Sequence, residues 1–273
     1  MRWCVMLPYI NIFGNNVGTY MLCILVGIFV SGIYVCLTAK KRGYDDNDYI
    51  VFLLIAAIGV FVGGHLMYGI TQIRVFIEVV THLSKYITSF TAFIGIASYI
   101  FGGSVFYGGL LGGMLICVVY AKIRKLDLSV YSDICAGFEP LFHFFGRIGC
   151  FFGGCCYGIE SNFGFITNDN IVNPSINGVV RFPVQLLEAA LNLGLFFLFA
   201  YLLRKNKLKG GLFALYLLIY SVIRFFDEFL RGDSYRGFLF GLSTSQIISI
   251  LLFVGAVVYF ICCFRRRKNT AKL

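Results

Sequence analysis

An arginine followed by glycines and cysteines is the part of the sequence best suited to chemistry. Residues 146–158 read Gly-Arg-Ile-Gly-Cys-Phe-Phe-Gly-Gly-Cys-Cys-Tyr-Gly and end a long apolar run. An arginine in hydrocarbon costs about 2.5–3.5 kcal/mol on insertion scales, so Arg147 needs a partner or a function. Glycine allows the backbone to bend sharply and to approach another group closely. The pattern therefore predicts an anion held by Arg147 beside an open backbone.

Three polar stripes have the spacing of one helix face, and Arg147 belongs to the first. Residues three, four or seven positions apart lie on the same side of a helix. None of these side chains can face lipid cheaply, so each stripe is predicted to face the protein interior. The stripes are Glu139, His143 and Arg147; then Gln185, Glu188 and Asn192; and then Arg224, Glu228 and Arg231, with Asp227 beside them.

Each stripe also has a purely structural interpretation. Arg224 and Glu228 either pair as a structural salt bridge or act on a substrate. His143 is either a satisfied core histidine or a base, and Glu188 is either a functional group or the partner of an arginine on another helix. In the predicted topology the stripes lie toward one side of the membrane, and buried charges gathered at one depth indicate a polar cavity open to that side.

The composition places these stripes in a membrane protein. The 273 residues are 59% hydrophobic and 13% charged, and the mean hydropathy is +0.84. A soluble domain does not leave charge so scarce. A net charge of +10 would suit nucleic acid, but the basic residues lie in short loops between apolar runs, which is a topology signal. We therefore expect an all-α polytopic protein, a single integral membrane domain over residues 1–273, with no nucleic-acid partner.

Apolar runs long enough to cross the bilayer determine the predicted helices. A span needs about 20 mostly apolar residues for about 30 Å of hydrocarbon. The sequence contains such runs at seven places, although the third is short and glycine-rich and the fourth carries ionisable residues. The predicted spans are 17–38, 49–70, 103–120, 129–152, 183–203, 210–230 and 244–263.

The positions of Lys and Arg predict the orientation. Most basic residues follow the first, third, fifth and seventh spans, which places these loops in the cytoplasm. The N-terminus is then outside, and residues 264–273 form a basic cytoplasmic tail. Residues 71–102 are predicted as an external arm with an amphipathic helix on the outer membrane surface. Residues 153–182 are predicted as an irregular external loop, because they are rich in Asn, Asp, Pro and Gly.

Three cysteines close to Arg147 have several interpretations. Cys150, Cys155 and Cys156 could ligate a metal, but a Cys-x4-Cys-Cys spacing is not usual for zinc. A disulfide from Cys150 to either neighbour is possible outside the cytosol. A free cysteine in an apolar setting also behaves as a small hydrophobe, and this interpretation is favoured. We therefore expect no metal and no cofactor.

With these residues in view, the chain resembles the phosphatidylglycerol–prolipoprotein diacylglyceryl transferase family. Residues 181–188 read Arg-Phe-Pro-Val-Gln-Leu-Leu-Glu, similar to the family's Arg-His-Pro-x-Gln-Leu-Tyr-Glu. Residues 224–231 resemble its Arg-Phe-x-x-Glu-x-x-Arg, and residues 146–149 the start of its Gly-Arg-x-Gly-Asn signature. The glycine-rich residues 102–112 and Tyr20 in the first span match further family positions. The matches occur in order over about residues 15–232, and this ordered combination is specific although each motif alone is weak.

The chain departs from the family pattern at several of these positions. Tyr107 stands where the family usually has histidine, and His65 where an arginine is common. Cys150 replaces the signature asparagine, and Cys155 replaces a following acidic residue. The chain thus looks like a divergent, cysteine-bearing branch.

The resemblance implies a reaction at the bacterial cytoplasmic membrane. A diacylglyceryl group passes from phosphatidylglycerol to the lipobox cysteine of a prolipoprotein signal peptide, and glycerol phosphate is released. Arg147 and Arg224 would stabilise the phosphate leaving group, because arginine binds phosphate through a bidentate fork. Glu188 and Glu228 would orient these arginines. The substrate supplies the nucleophile.

The residue that takes up the thiol proton is left open between Tyr107 and His143. Alternative functions are transfer to a different acceptor or lipid binding only, which the departures favour, and a channel or transporter, which would need charges at both leaflets. The predicted catalytic residues are Arg147, Arg224, Tyr107, His143 and Glu188, and the predicted substrate-binding residues are Tyr20, Gly108, Gly149, Gly158, Gln185, Glu228 and Arg231.

Overall fold

A computed structural model describes residues 7–86, 88–103, 105–168, 170–171, 173–233, 238–239 and 241–270. The chain divides into two compact units, Met1–Thr38 with Ser129–Leu273 and Ala39–Leu128. The domain limits predicted from the sequence stay predictions. The helices are α1 (Thr19–Lys41), α2 (Asp46–Thr71), α3 (Ile73–Thr81), α4 (Leu83–Tyr86), α5 (Phe90–Phe101), α6 (Phe106–Arg124), α7 (Leu128–Gly153), α8 (Val184–Arg204), α9 (Leu212–Asp227) and α10 (Thr244–Thr270). The strands are β1 (Tyr9–Ile12), β2 (Asn15–Gly18), β3 (Glu160–Phe165), β4 (Phe238–Leu239) and β5 (Leu242–Ser243).

The predicted helical membrane fold is confirmed. Four of the described helices are long and apolar enough to cross a bilayer, and they match four of the predicted spans. The other predicted spans correspond to α6, α7 and α9, which are helical, but α7 carries several ionisable residues and α9 has only 16 residues. The count of seven spans therefore stays a prediction. The four clear spans are Thr19–Lys41, Asn47–Thr71, Val184–Arg204 and Thr244–Cys263.

Glycines join α2 and α6 in the smaller unit, Ala39–Leu128. A Cβ atom placed on Gly63 would lie 2.2 Å from the carbonyl oxygen of Gly108, and one on Gly112 would lie 2.4 Å from that of Gly59. Lipid gives helices no hydrophobic reason to associate, so close backbone contact through small residues holds them together. The glycine-rich run thus allows the two helices to pack closely.

Helix α3 has the amphipathic pattern that the sequence predicts after Ile73. Its Val79 is buried, whereas Phe76, Ile77 and Val80 are exposed on the protein alone. An exposed apolar stripe suits a helix that lies in the membrane interface. The placement of this arm outside the cell stays a prediction.

Helix α7 is the most buried helix of the larger unit and carries the first polar stripe. It continues as one helix through Pro140, which is buried. Near its end Gly149 packs against α1, where an added Cβ would lie 2.9 Å from the Cβ of Cys23 and 3.3 Å from the Cα of Tyr20. Any side chain at this position would push the two helices apart.

Asp133 fixes the other end of α7. Its carboxylate accepts hydrogen bonds from the backbone N–H groups of Gly210, at 2.6 Å, and Leu212, at 2.9 Å. Leu212 is the first residue of α9, where backbone N–H groups lack helical partners and the helix dipole favours a negative charge. Asp133 therefore joins α7 to the turn between α8 and α9, which places the polar stripes of the three helices in one unit.

The connection over residues 153–182 is more ordered than predicted. It contains β3 and a 3-10 helix, Pro174–Ile176. Asn170 is buried and its side-chain amide donates to the carbonyl of Gly154 at 3.0 Å, while its oxygen accepts from the backbone of Asn173 at 2.8 Å. The composition indicated a loop, but these asparagine side chains supply hydrogen bonds that make it a fixed structure.

The charge pattern predicts that the arm is outside, and Lys85 is an exposed reporter on α4. A Lys85→Cys variant should gain labelling by a membrane-impermeant maleimide in intact cells, above the background of the parent protein. The matched control is Lys207→Cys, which is exposed and predicted to be cytoplasmic, and should gain labelling only after permeabilisation. The reverse pattern would overturn the orientation.

Candidate active site

An ion pair between α7 and α8 lies at the centre of the candidate site. Arg147 Nη2 lies 2.8 Å from Glu188 Oε1, and the two side chains are 12% and 1% exposed. Tyr220 on α9 directs its hydroxyl to the same carboxylate oxygen at 3.4 Å. The interpretation of Glu188 as the partner of an arginine on another helix is therefore confirmed. A carboxylate this deeply buried requires such a partner, since an unpaired charge in low dielectric is costly.

A second ion pair continues the site on α9. Arg224 Nη2 lies 2.7 Å from Glu228 Oε2, with 12% and 3% of the two side chains exposed. The same nitrogen donates to Ser245 Oγ on α10 at 3.1 Å. Arg224 also acts electrostatically on Glu188, so the two ion pairs belong to one charge network.

His143 lies within this network, one helical turn from Arg147. Its ring lies 5.1 Å from that of Tyr220, centroid to centroid, at an interplanar angle of 33°. The charges of Arg147, Glu188 and Arg224 all act on it. His143 Nδ1 is buried and has no hydrogen-bond partner among the described residues.

Each central arginine retains one unpaired donor. Arg147 Nε and Arg224 Nη1 are buried, and neither has a hydrogen-bond partner in the described part of the chain. Buried N–H groups are nearly always satisfied in native proteins, so each exception requires an explanation. Each guanidinium group is thus held by its own glutamate and has one further nitrogen without a partner among the described residues.

Arg231, which ends the third stripe, is held differently. Its Nε and Nη2 donate to the two oxygens of Asp233 at 2.9 and 2.7 Å, which is a bidentate pair. Burial alone would lower the pKa of Arg231, but the bond to Asp233 and the charge of Cys156 raise it above its ordinary value. Arg231 therefore stays a cation across the physiological range.

The segment before α8 is tied to the ordered connection. Gln185 Nε2 donates to the carbonyl of Cys155 at 2.9 Å, and Arg181 Nη1 donates to that of Gly158 at 3.1 Å. The Arg181 guanidinium also lies 4.8 Å from the ring centroid of Tyr157. Gly158 packs so closely that an added Cβ would lie 2.2 Å from the carbonyl oxygen of Phe182. These contacts attach the start of α8 to the connection that follows α7.

The three cysteines near Arg147 form a cluster. The sulfurs of Cys150, Cys155 and Cys156 all lie within 4.8 Å of one another. Hydrogen bonds with the other two thiols lower the pKa of Cys156, and the positive charges of Arg231 and Arg147 act in the same direction. Hydrogen bonds with the same cluster raise the pKa of Cys155. The three thiols therefore interact closely with one another.

Three further predicted residues are Tyr20, Tyr107 and Gly108. Tyr20 packs beside Gly149 and is 47% exposed, and its phenol interacts electrostatically with Arg147 and the cysteines. The side chain of Tyr107 lies outside the described part of the chain. Gly108 belongs to the smaller unit, where it contacts α2.

Tyr220, Ser245 and Asp233 were missed by the analysis of the sequence. Tyr220 lies four residues before Arg224, and this spacing on one helix face could have identified it. Asp233 lies two residues after Arg231, which suggests a local ion pair. Ser245 carried no signal, because its role depends on how α10 packs against α9.

The arrangement can bind an anion in a largely dry site. It offers two oriented guanidinium groups, each with a donor that has no partner among the described residues, and a histidine on which both charges act. Among the described residues, the cysteine cluster is the one set of possible metal ligands. Such donors stabilise a negative charge that develops nearby more strongly than water would, because they are already oriented.

Comparison with known proteins agrees with this arrangement. A sequence profile described as prolipoprotein diacylglyceryl transferase matches residues 8–262. A protein of Clostridium tetani named phosphatidylglycerol–prolipoprotein diacylglyceryl transferase is 32% identical over 94% of this chain and 98% of its own length. A protein of Clostridium perfringens with the same name and the number 2 is 31% identical over 96% and 97%. A protein of Campylobacter hominis with this name is 32% identical over 89% and 86%.

The matched range includes all three polar stripes and the cysteine cluster. It also covers the four clear spans, apart from the last residue of the fourth. The resemblance stated from the motifs is confirmed. On this evidence the chain belongs to the prolipoprotein diacylglyceryl transferase family.

Proposed function

We propose that this chain transfers a diacylglyceryl group from phosphatidylglycerol to the lipobox cysteine of prolipoproteins, the first step of lipoprotein biosynthesis. Membership of the family and the names of the relatives support this reaction. The observation that carries the proposal is the pair of buried arginines, Arg147 and Arg224, each with an unpaired N–H donor. A phosphate oxygen is a ligand for which such donors are suited.

The reaction determines what the arginines must do. The sulfur of the acceptor forms a bond to the carbon of the diacylglyceryl group that carries the phosphate. The C–O bond between that carbon and the phosphate breaks. Its electron pair leaves on the oxygen of glycerol phosphate, so negative charge grows on the leaving group. Arg147 and Arg224 stabilise this charge, while Glu188 and Glu228 hold the guanidinium groups in orientation.

The acceptor thiol must also lose its proton. His143 is a candidate acceptor, because it lies beside Arg147 and Glu188 and its buried Nδ1 is without a partner among the described residues. Tyr107 remains the alternative that the sequence offers. Tyr20, Gly149, Gly158, Gln185 and Arg231, all in the larger unit, would form the wall against which the lipid lies.

The apolar helices indicate the membrane location of the protein, and the basic residues of the loops predict its orientation. The protein is a multi-pass membrane protein, and we place it in the bacterial cytoplasmic membrane with its N-terminus outside. Phosphatidylglycerol and the signal peptides of prolipoproteins are its proposed partners. The predicted outward position of the polar stripes would allow access from the leaflet where those signal peptides emerge.

A direct test of the phosphate-binding role is the substitution Arg147→Lys. Lysine keeps the charge but loses the planar fork that binds Glu188 and the phosphate together. Loss of one oriented donor typically costs about 10²–10³ in rate. We expect a decrease of this size in glycerol phosphate release by purified protein supplied with phosphatidylglycerol and a lipobox peptide.

The matched control for this variant is Arg204→Lys, on the exposed last turn of α8, which should keep the parent rate. An Arg147→Lys protein with normal yield and normal rate would contradict the role of Arg147. Phosphatidylglycerol binding without any transfer by the parent protein would instead support the lipid-binding alternative.

Four proteins separate catalysis from structure at the second ion pair: the parent, the single variants Arg224→Met and Glu228→Gln, and the double variant. Arg224→Met alone leaves Glu228 buried without its partner, which typically costs about 3–5 kcal/mol. The double variant Arg224→Met, Glu228→Gln removes both charges at similar volume, so membrane abundance should recover. We expect transfer to stay low in the double variant, because the phosphate still lacks its donor. Full recovery of both abundance and transfer would show that Arg224 is only a structural partner.

A further inference from the structure

The cluster of Cys150, Cys155 and Cys156 has no part in the proposed reaction, which takes its thiol from the acceptor. The three sulfurs come from a helix and from the turn that follows it. Cys150 is buried in the last turn of α7, while Cys155 and Cys156 are half-buried in the next residues. The fold thus gathers three soft donors in one small space, all within 4.8 Å.

We propose that Cys150, Cys155 and Cys156 form a binding site for a thiophilic divalent cation of the zinc class. Zinc–thiolate bonds are about 2.3 Å long, which places the sulfurs of a tetrahedral or trigonal site about 3.8–4.0 Å apart. Because the three sulfurs already lie within 4.8 Å of one another, small side-chain movements are enough to reach that geometry. Thiolates select soft cations over magnesium or calcium.

The backbone around the cluster is already fixed, so the site need not be assembled from a flexible loop. The N–H of Cys155 donates to the carbonyl of Cys150 at 3.1 Å, and the carbonyl of Cys155 accepts from Gln185 at 2.9 Å. The side-chain amides of Asn170 and Asn173 both donate to the carbonyl of Gly154 at 3.0 Å. Cys156 adopts a left-handed φ of 55°, which is uncommon for a residue with a side chain and turns its sulfur relative to that of Cys155.

The local charges favour a divalent ion. Binding replaces three S–H bonds by three S–metal bonds, and the protons pass to water with no change of oxidation state. Three thiolates and one divalent cation leave a net charge of −1. Arg147 Nη1 lies 4.0 Å from the Cys150 sulfur, and its positive charge offsets this negative charge. A monovalent ion would leave a second negative charge in the same buried place.

The sequence spacing gave a different expectation, because Cys-x4-Cys-Cys does not match the usual zinc motifs. In the structure the chain turns where α7 ends, so the side chains of residues five and six positions apart approach one another. No fourth His, Cys, Asp or Glu joins the three within the described residues. A tetrahedral ion would therefore take water as its remaining ligand.

The test uses the full-length protein in detergent, reduced and freed of metal, with Co²⁺ and Cd²⁺ as probes. We expect one equivalent to bind and to produce the ultraviolet thiolate-to-metal charge-transfer band, and zinc to displace cobalt. The double variant Cys155→Ser, Cys156→Ser should lose the band. Cys262→Ser, an exposed cysteine on α10, is the matched control and should keep it.

A second measurement on the parent protein does not depend on how the variants fold. Cd²⁺ should protect Cys150, Cys155 and Cys156 from alkylation, as read by mass spectrometry, while Cys262 stays reactive. Absence of both the band and the protection in fully reduced protein would overturn the proposal, as would a disulfide that forms within the cluster and resists reduction. Neither readout uses lipid transfer, so an inactive enzyme and an absent metal site are told apart.

Discussion

The ion pair between Arg147 and Glu188 is the interaction on which the site depends. Glu188 is 1% exposed, and in this environment its charge is tolerable only with the arginine 2.8 Å away. The pair joins α7 to α8, and Tyr220 joins α9 to the same carboxylate. Three helices are thus held in register by one buried charge. In the proposed reaction, that charge also orients the guanidinium group toward the phosphate.

The surrounding structure keeps this arrangement fixed. Asp133 ties the start of α7 to the turn before α9, and Gly149 sets the distance from α7 to α1. Gln185 and Arg181 attach the ordered connection after α7 to the start of α8. Catalysis by oriented donors requires such rigidity, because the donors must be in place before charge develops.

Much of this could be predicted from the sequence because membranes penalise buried charge. The period of the polar stripes predicted that Arg147, Glu188 and Arg224 face the interior, and the structure places all three there. The partners could not be predicted in the same way. Pairing across helices, as with Ser245, depends on helix packing that no local pattern encodes. The grouping of Cys150, Cys155 and Cys156 could not be predicted from their spacing either, because it depends on how the chain turns after α7.

The central claim is that this chain lipidates prolipoproteins. Its most direct test is expression of the chain in a bacterial strain depleted of its own diacylglyceryl transferase, scored by the mobility shift of a reporter lipoprotein. The account predicts that lipidation of the reporter and growth are restored. A reporter that stays unlipidated, although the chain is abundant in the membrane, would contradict it.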